Sequence, residues 1–125
     1  MAEFYEDLTD PESVDALMQP GAGAVVIDFW STTCGPCMAM APDFAKVAEH
    51  FDDAPVRFIK IQTDAYPELA APFKIRSVPT LLFVRNGEIL DAIVGRMDAQ
   101  RLAKKTIWLL DKTENRGLLS RLFGR

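Results

Sequence analysis

Apolar residues fall in blocks along this chain, and block length separates candidate strands from candidate helices. Ala24-Val25-Val26-Ile27-Asp28-Phe29-Trp30 is a continuous apolar run containing one acid. A run of strand length without alternation predicts a central strand covered on both faces. Val56-Arg57-Phe58-Ile59-Lys60-Ile61 and Thr80-Leu81-Leu82-Phe83-Val84 are two more such runs. Asn86-Gly87 comes next, followed by Glu88–Val94, and an Asn-Gly turn between two such runs signals a hairpin. Met38, Ala41, Phe44 or Ala45, Val47 or Ala48, and Phe51 recur at helical spacing, with Pro42 inside the helix they predict. That proline removes a backbone donor and is expected to kink it. Glu3–Leu8 predicts a short first strand. Thr9, with Glu12 three residues on, predicts the cap of a helix reaching about Met18. Pro67–Phe73 predicts a short helix, and Asp98–Leu110 a longer one capped by Asp98. The order β-α-β-α-β-α-β-β-α implies a mixed sheet between helices.

Composition narrows the class. The chain has 125 residues, 49% hydrophobic and 26% charged, which suits one globular domain. No apolar run approaches the roughly 20 residues of a membrane span. The acidic start, Met1-Ala2-Glu3-Phe4-Tyr5-Glu6-Asp7, lacks the positive charge and apolar stretch of a secretory signal, so a cytoplasmic location is expected. A net charge of −4 disfavours nonspecific nucleic-acid binding. The charge is uneven: residues 1–20 hold six acids and no Lys or Arg, whereas residues 101–125 hold seven Lys or Arg and two acids.

The chemistry centres on the two cysteines, Cys34 and Cys37. A disulfide closing so short a loop would constrain the unfolded chain little, which favours chemistry over scaffold. A structural zinc site needs four ligands, and there is no second cysteine pair and only one histidine, His50. No metal site is expected. Cys34-Gly35-Pro36-Cys37 opens the helix that follows the first central strand. A thiol there faces unpaired backbone N–H groups and the positive end of the helix dipole, which stabilise its thiolate. With Pro36 removing one of those N–H groups, the pKa is expected to fall about one to two pH units below that of a free thiol. Cys34 is the expected nucleophile, and Cys37 the more buried thiol that resolves a mixed disulfide.

Val26-Ile27-Asp28-Phe29-Trp30, Cys34-Gly35-Pro36-Cys37 and Ser77-Val78-Pro79-Thr80 together resemble the thioredoxin family in content, order and spacing. Asn86-Gly87 and Val94-Gly95 extend the similarity, which covers about residues 5–111. The resemblance implies a thioredoxin fold of about five strands and four helices over residues 1–111, with residues 112–125 as a C-terminal extension. It implies a protein-disulfide reductase that needs no bound cofactor. Its partners would be disulfide-containing client proteins and a thioredoxin reductase or equivalent electron donor, and it would act as a monomer. Asp28 would be a buried acid that moves the proton of Cys37, its pKa raised by burial and its pairing or proton transfer supported by Lys60. Pro79 would be a cis-proline facing the disulfide. Val78 would offer its backbone to an extended substrate, and Trp30 and Gly95 would border the site. Two other readings use the same residues: a binding module that recognises partners through the groove, and a redox protein devoted to one client.

The chain departs from the family pattern at Thr33, Met38 and Arg96, where an aromatic residue, a lysine and a small apolar residue are common. These changes predict a narrower client set. The Thr33 hydroxyl is placed to donate near the Cys34 thiolate. In Arg116–Arg125, Leu118, Leu119, Leu122 and Phe123 fall on one helical face with Arg116 and Arg121 beside it. That pattern leaves open docking on the protein's own surface, a mobile tail, or binding to an acidic membrane or partner.

Overall fold

The hydrophobic blocks do form a five-stranded sheet in the order β1-β3-β2-β4-β5. The computed structural model describes residues 3–123, with side chains to residue 112. The strands are β1 (Glu6–Asp7), β2 (Ala24–Trp30), β3 (Val56–Gln62), β4 (Thr80–Arg85) and β5 (Glu88–Val94). β1 and β2 both run parallel to β3, while β4 is antiparallel to β2 and to β5. The helices are α1 (Pro11–Leu17), α2 (Gly35–His50), α3 (Pro67–Ala70) and α4 (Ala99–Phe123). A 3₁₀ turn at Ala71–Phe73 completes the segment expected to be one helix.

Strand alternation sorts the core into two layers. Ala24 and Val26 of β2 pack with Phe58, Leu81 and Phe83 against Met40, Phe44 and Val47 of α2 and Leu102 and Leu109 of α4. Val25, Ile27 and Phe29 face the other way, with Ile59, Ile61, Leu82 and Val84, against Val14 and Leu17 of α1 and Leu69 of α3. Both faces of β2 are therefore covered, which is why its sequence is a continuous apolar run rather than an alternating one. By the same alternation Asp28 lies on the α2 side of the sheet.

Several boundaries differ from expectation for local reasons. The first strand contracts to Glu6–Asp7, an edge strand tied to β3 by a bidentate pair in which Arg57 Nε and Nη2 donate to Glu6 at 2.9 and 2.8 Å. Asp10, not Thr9, caps α1: Ser13 N–H and Ser13 Oγ donate to its two carboxylate oxygens at 2.9 and 2.8 Å. Pro11 holds the residue before it extended, at φ −136° and ψ 149°, which is the backbone an N-cap requires. The hairpin turn forms with Asn86 at φ 49° and Gly87 at φ 82°. Asn86 is also latched to the start of β2, its N–H donating to Gly23 O and its Oδ1 accepting from Gly23 N–H. Asp98 caps α4 through Arg101 N–H at 2.8 Å, and the helix runs on past Leu110 to Phe123 without a break. The apolar face expected of Leu118, Leu119, Leu122 and Phe123 concerns side chains outside the described residues.

Candidate active site

Chain direction brings three segments to one end of the sheet: the end of β2, the turn before β4, and the end of β5. The turn after β2 delivers Cys34 to the N-cap position of α2, with φ −100° and ψ 107°. Gly35 and Pro36 form the first helical positions, where a missing N–H is tolerated. Cys37 then falls one turn along, its Cα 5.2 Å from that of Cys34, and the two are joined as a disulfide. Cys37 N–H donates to Cys34 Sγ at 3.1 Å, so the sulfur occupies the position in which a capping oxygen usually sits. The two sulfurs differ in access: Cys37 is 2% exposed, whereas Cys34 is half-buried. Met38 N–H donates to Cys34 O, so the helix is hydrogen-bonded from its first turn.

The Val78–Pro79 peptide bond is cis, and Val78 O lies 3.5 Å from Cys34 Sγ. Pro79 is buried, and its carbonyl accepts from Gly95 N–H at 2.8 Å. Gly95 has φ 107°, a backbone conformation that favours glycine. Val78, Pro79 and Gly95 are thus brought together beside the disulfide. The ends of β4 and β5 are also joined by their register, Thr80 opposite Val94.

Asp28 is 1% exposed, and its Oδ1 has no hydrogen-bonding protein partner. Burial pushes its carboxyl up to about 7 against the opposing pull of Lys60. Lys60 is its register partner on β3 and is itself 7% exposed. The Lys60 ammonium lies 4.7 Å from the Trp30 ring centre and 5.1 Å from that of Tyr5, so two aromatic faces replace much of its lost hydration. Asp7 also feels Lys60, but burial is the larger influence and raises its pKa. Trp30 is half-buried with Nε1 unpartnered, and its carbonyl accepts from Thr63 N–H and Thr63 Oγ1.

In the disulfide form, Thr33 Oγ1 lies 3.4 Å from Ser31 Oγ, within hydrogen-bonding distance of that hydroxyl. Its neighbour Thr32 carries a tie the sequence did not reveal, with its N–H and Oγ1 both donating to Asp64. Asp64 follows β3, and only the pairing of β3 with β2 places it there. Thr33, Met38 and Arg96 are all exposed around the site.

The family model for Thioredoxin matches residues 6–107. Thioredoxin from Chlorobaculum thiosulfatiphilum is 35% identical over 82 residues, covering 66% of this chain and 75% of that protein. Thioredoxin from a Synechocystis species is 33% identical over 102 residues, covering 82% and 85%. Among solved structures, thioredoxin from Malassezia sympodialis superposes with a TM-score of 0.75 at 29% identity, covering 87% of this chain and 93% of that one. Chloroplastic thioredoxin z, at 24% identity and a TM-score of 0.72, shares the fold. The sheet order, the cysteine pair at a helix N-terminus and these relatives agree: the chain belongs to the thioredoxin family, as a thiol–disulfide oxidoreductase that reduces protein disulfides.

Proposed function

We propose that Cys34 is the attacking thiol and Cys37 the resolving one. The observation that carries this is the asymmetry of the pair, with Cys34 accessible beside Val78 O and Cys37 shut in beneath it. In the dithiol form, the Cys34 thiolate attacks one sulfur of a client disulfide. A Cys34–client S–S bond forms, the client S–S bond breaks, and the first client sulfur leaves as thiolate. Cys37 then gives its proton to the Asp28 carboxylate and attacks Cys34 Sγ. The Cys34–Cys37 bond forms, and the second client sulfur leaves and takes up a proton. Two electrons pass from the cysteine pair to the client, and a reductase partner restores them.

An acid whose pKa lies near 7 exchanges a proton readily at neutral pH, which suits Asp28 to the second step. Lys60 supports that transfer by favouring the carboxylate. Val78 and Pro79 orient an extended client segment, with Trp30 and Gly95 bordering it. In this reading the disulfide itself is the redox group and no cofactor takes part. The site residues all lie on one chain, and the protein is taken to work as a monomer. A cytoplasmic location goes with it, because a reducing compartment keeps the pair as a dithiol. The exposed Thr33, Met38 and Arg96 narrow the client set by changing the rim.

Trapping tests the assignment and names the clients. Cys37→Ser should accumulate mixed disulfides through Cys34, and Cys34→Ser should accumulate none. Trapping by Cys34→Ser alone would reverse the proposed roles, and equal trapping by both variants would rule out a single attacking thiol. Full biological activity of Cys34→Ser would instead favour recognition without redox chemistry.

A further inference from the structure

Two residues beyond Gly95, the surface changes character. Met97, Ile93 of β5, and Arg101, Lys104, Lys105 and Trp108 of α4 line a cavity of about 350 Å³. The helix residues lie at spacings of three and four, so they form one face of α4. The floor is apolar: Met97 is buried, and Ile93 and Trp108 are half-buried. The rim is cationic. Lys105 Nζ donates to Asp91 at 2.6 Å and lies 3.7 Å from the Trp108 ring centre, so its charge is partly spent within the fold. Arg101 and Lys104 are exposed, and neither belongs to a salt bridge among the described residues. Of the acids near this rim, Asp91 bonds Lys105 and Asp98 caps α4, while the exposed Asp111 lies one turn beyond Trp108. This positive rim belongs to a chain of net charge −4, so it is a local feature and not a general property of the surface.

The cavity also adjoins the redox site. Ile93 is the register partner of Leu81, two residues after Pro79. Met97 follows Gly95, which is bonded to Pro79 O, and the exposed Arg96 lies between them. The end of β5 and the Gly95–Met97 segment thus connect this basic, apolar-floored cavity to Val78–Pro79.

We propose that the cavity is a second docking point, selecting disulfide clients that carry an acidic segment with an apolar side chain near the reacting cysteines. The proposal rests on the assignment of Cys34 and Val78–Pro79 above and specifies the clients of that site. The acidic groups would meet Arg96, Arg101 and Lys104, and the apolar side chain would cover Met97 and Trp108. Charge at such a rim acts mainly through encounter and selectivity, so the effect belongs in kcat/KM and should weaken with salt.

The test uses the full chain and two synthetic peptides with the same disulfide, one flanked by Asp, Glu and Phe, the other with Ser in place of the acids. A neutral small-molecule disulfide serves as the reference substrate. The wild type should reduce the acidic peptide with kcat/KM about tenfold above the neutral one, and added salt should narrow the gap. Arg101→Glu with Lys104→Glu should abolish the preference while leaving the neutral peptide and the small disulfide unchanged. Arg101→Lys should retain it. Equal treatment of both peptides by the wild type, or a preference surviving in the double variant, would overturn the proposal. Failure of the wild type on all three substrates would overturn the assignment of the redox site as well, and the small disulfide distinguishes the two failures.

Discussion

Thr32 is bound to Asp64 across the gap between two loops: the Thr32 N–H and Oγ1 donate to the two carboxylate oxygens at 3.4 and 2.5 Å. This links the segment entering Cys34 to the turn that leaves β3. The Thr32 hydroxyl, as the largest influence, holds the Asp64 carboxyl below its ordinary value of 3.8. An acid lowered on folding adds stability above its unfolded pKa and loses it as pH falls through the folded one. Asp64→Asn and Thr32→Val are therefore expected to speed amide exchange over residues 31–34 while leaving the central strands protected. In the wild type, acidification below 3.8 should loosen the same segment. Unchanged exchange in both variants would show that the link does not hold the loop.

Asp28 titrates in the opposite sense. Its carboxyl is raised from 3.8 to about 7 by burial, so the folded disulfide form binds the proton more tightly than the unfolded chain. That contribution is complete below the unfolded pKa and disappears as pH rises through about 7. The disulfide form should therefore lose stability across this window, by at most about 4 kcal/mol from this group. Asp28→Asn should flatten the dependence and raise stability above neutral pH, while slowing the resolving step. Denaturant midpoints of the two proteins at about pH 5 and about pH 8 check the first expectation. Parallel pH curves would exclude Asp28 as the source.

Gly87 carries two constraints and Gly21 only one. Both have positive φ, 82° and 85°. A Cβ on Gly87 would run into the backbone carbonyl of Met18, whereas one on Gly21 meets nothing within 4 Å. Gly21→Ala should cost about 1 kcal/mol from backbone strain, and Gly87→Ala about 3 kcal/mol or more because rigid backbone must also move. Thermal unfolding of the pair measures the difference. Similar midpoints would show that the hairpin shifts without resistance.

Phe44 of α2 is fully buried, with its ring centre 6.2 Å from that of Tyr5 and 5.7 Å from that of Phe58. It joins the helix bearing the cysteines to β3. Phe44→Ala should destabilise the fold by about 3–5 kcal/mol, and Phe44→Leu by less because most of the volume remains. Chemical denaturation gives both values, and a cost below about 1 kcal/mol for the alanine variant would contradict the packing described.

Much of the molecule is determined locally and was legible in the sequence. The unbroken apolar run at Ala24–Trp30 marks a strand that needs cover on both faces. Asn86-Gly87 accepts positive φ without help from the rest of the fold, and a cysteine before Gly35-Pro36 meets free N–H groups as soon as α2 forms. The α1 cap was local too, but the decisive residue was Pro11, whose ring fixes Asp10 rather than Thr9 in the capping conformation. The remaining features needed the tertiary structure because their partners are distant in sequence. The pairing of β2 with β3 brings Lys60 opposite Asp28, with Trp30 and Tyr5 around its ammonium. The same pairing carries Asp64 to Thr32 and leaves Thr33 bonded to Ser31. Antiparallel pairing of β4 with β5 brings Gly95 to Pro79, and the packing of α4 beside β5 gathers Arg101, Lys104 and Trp108 around Ile93. Backbone preference acts over a few residues, so strands, caps and turns can be read along the chain. Charge pairing, burial and access depend on which segments meet, and only the folded sheet decides that.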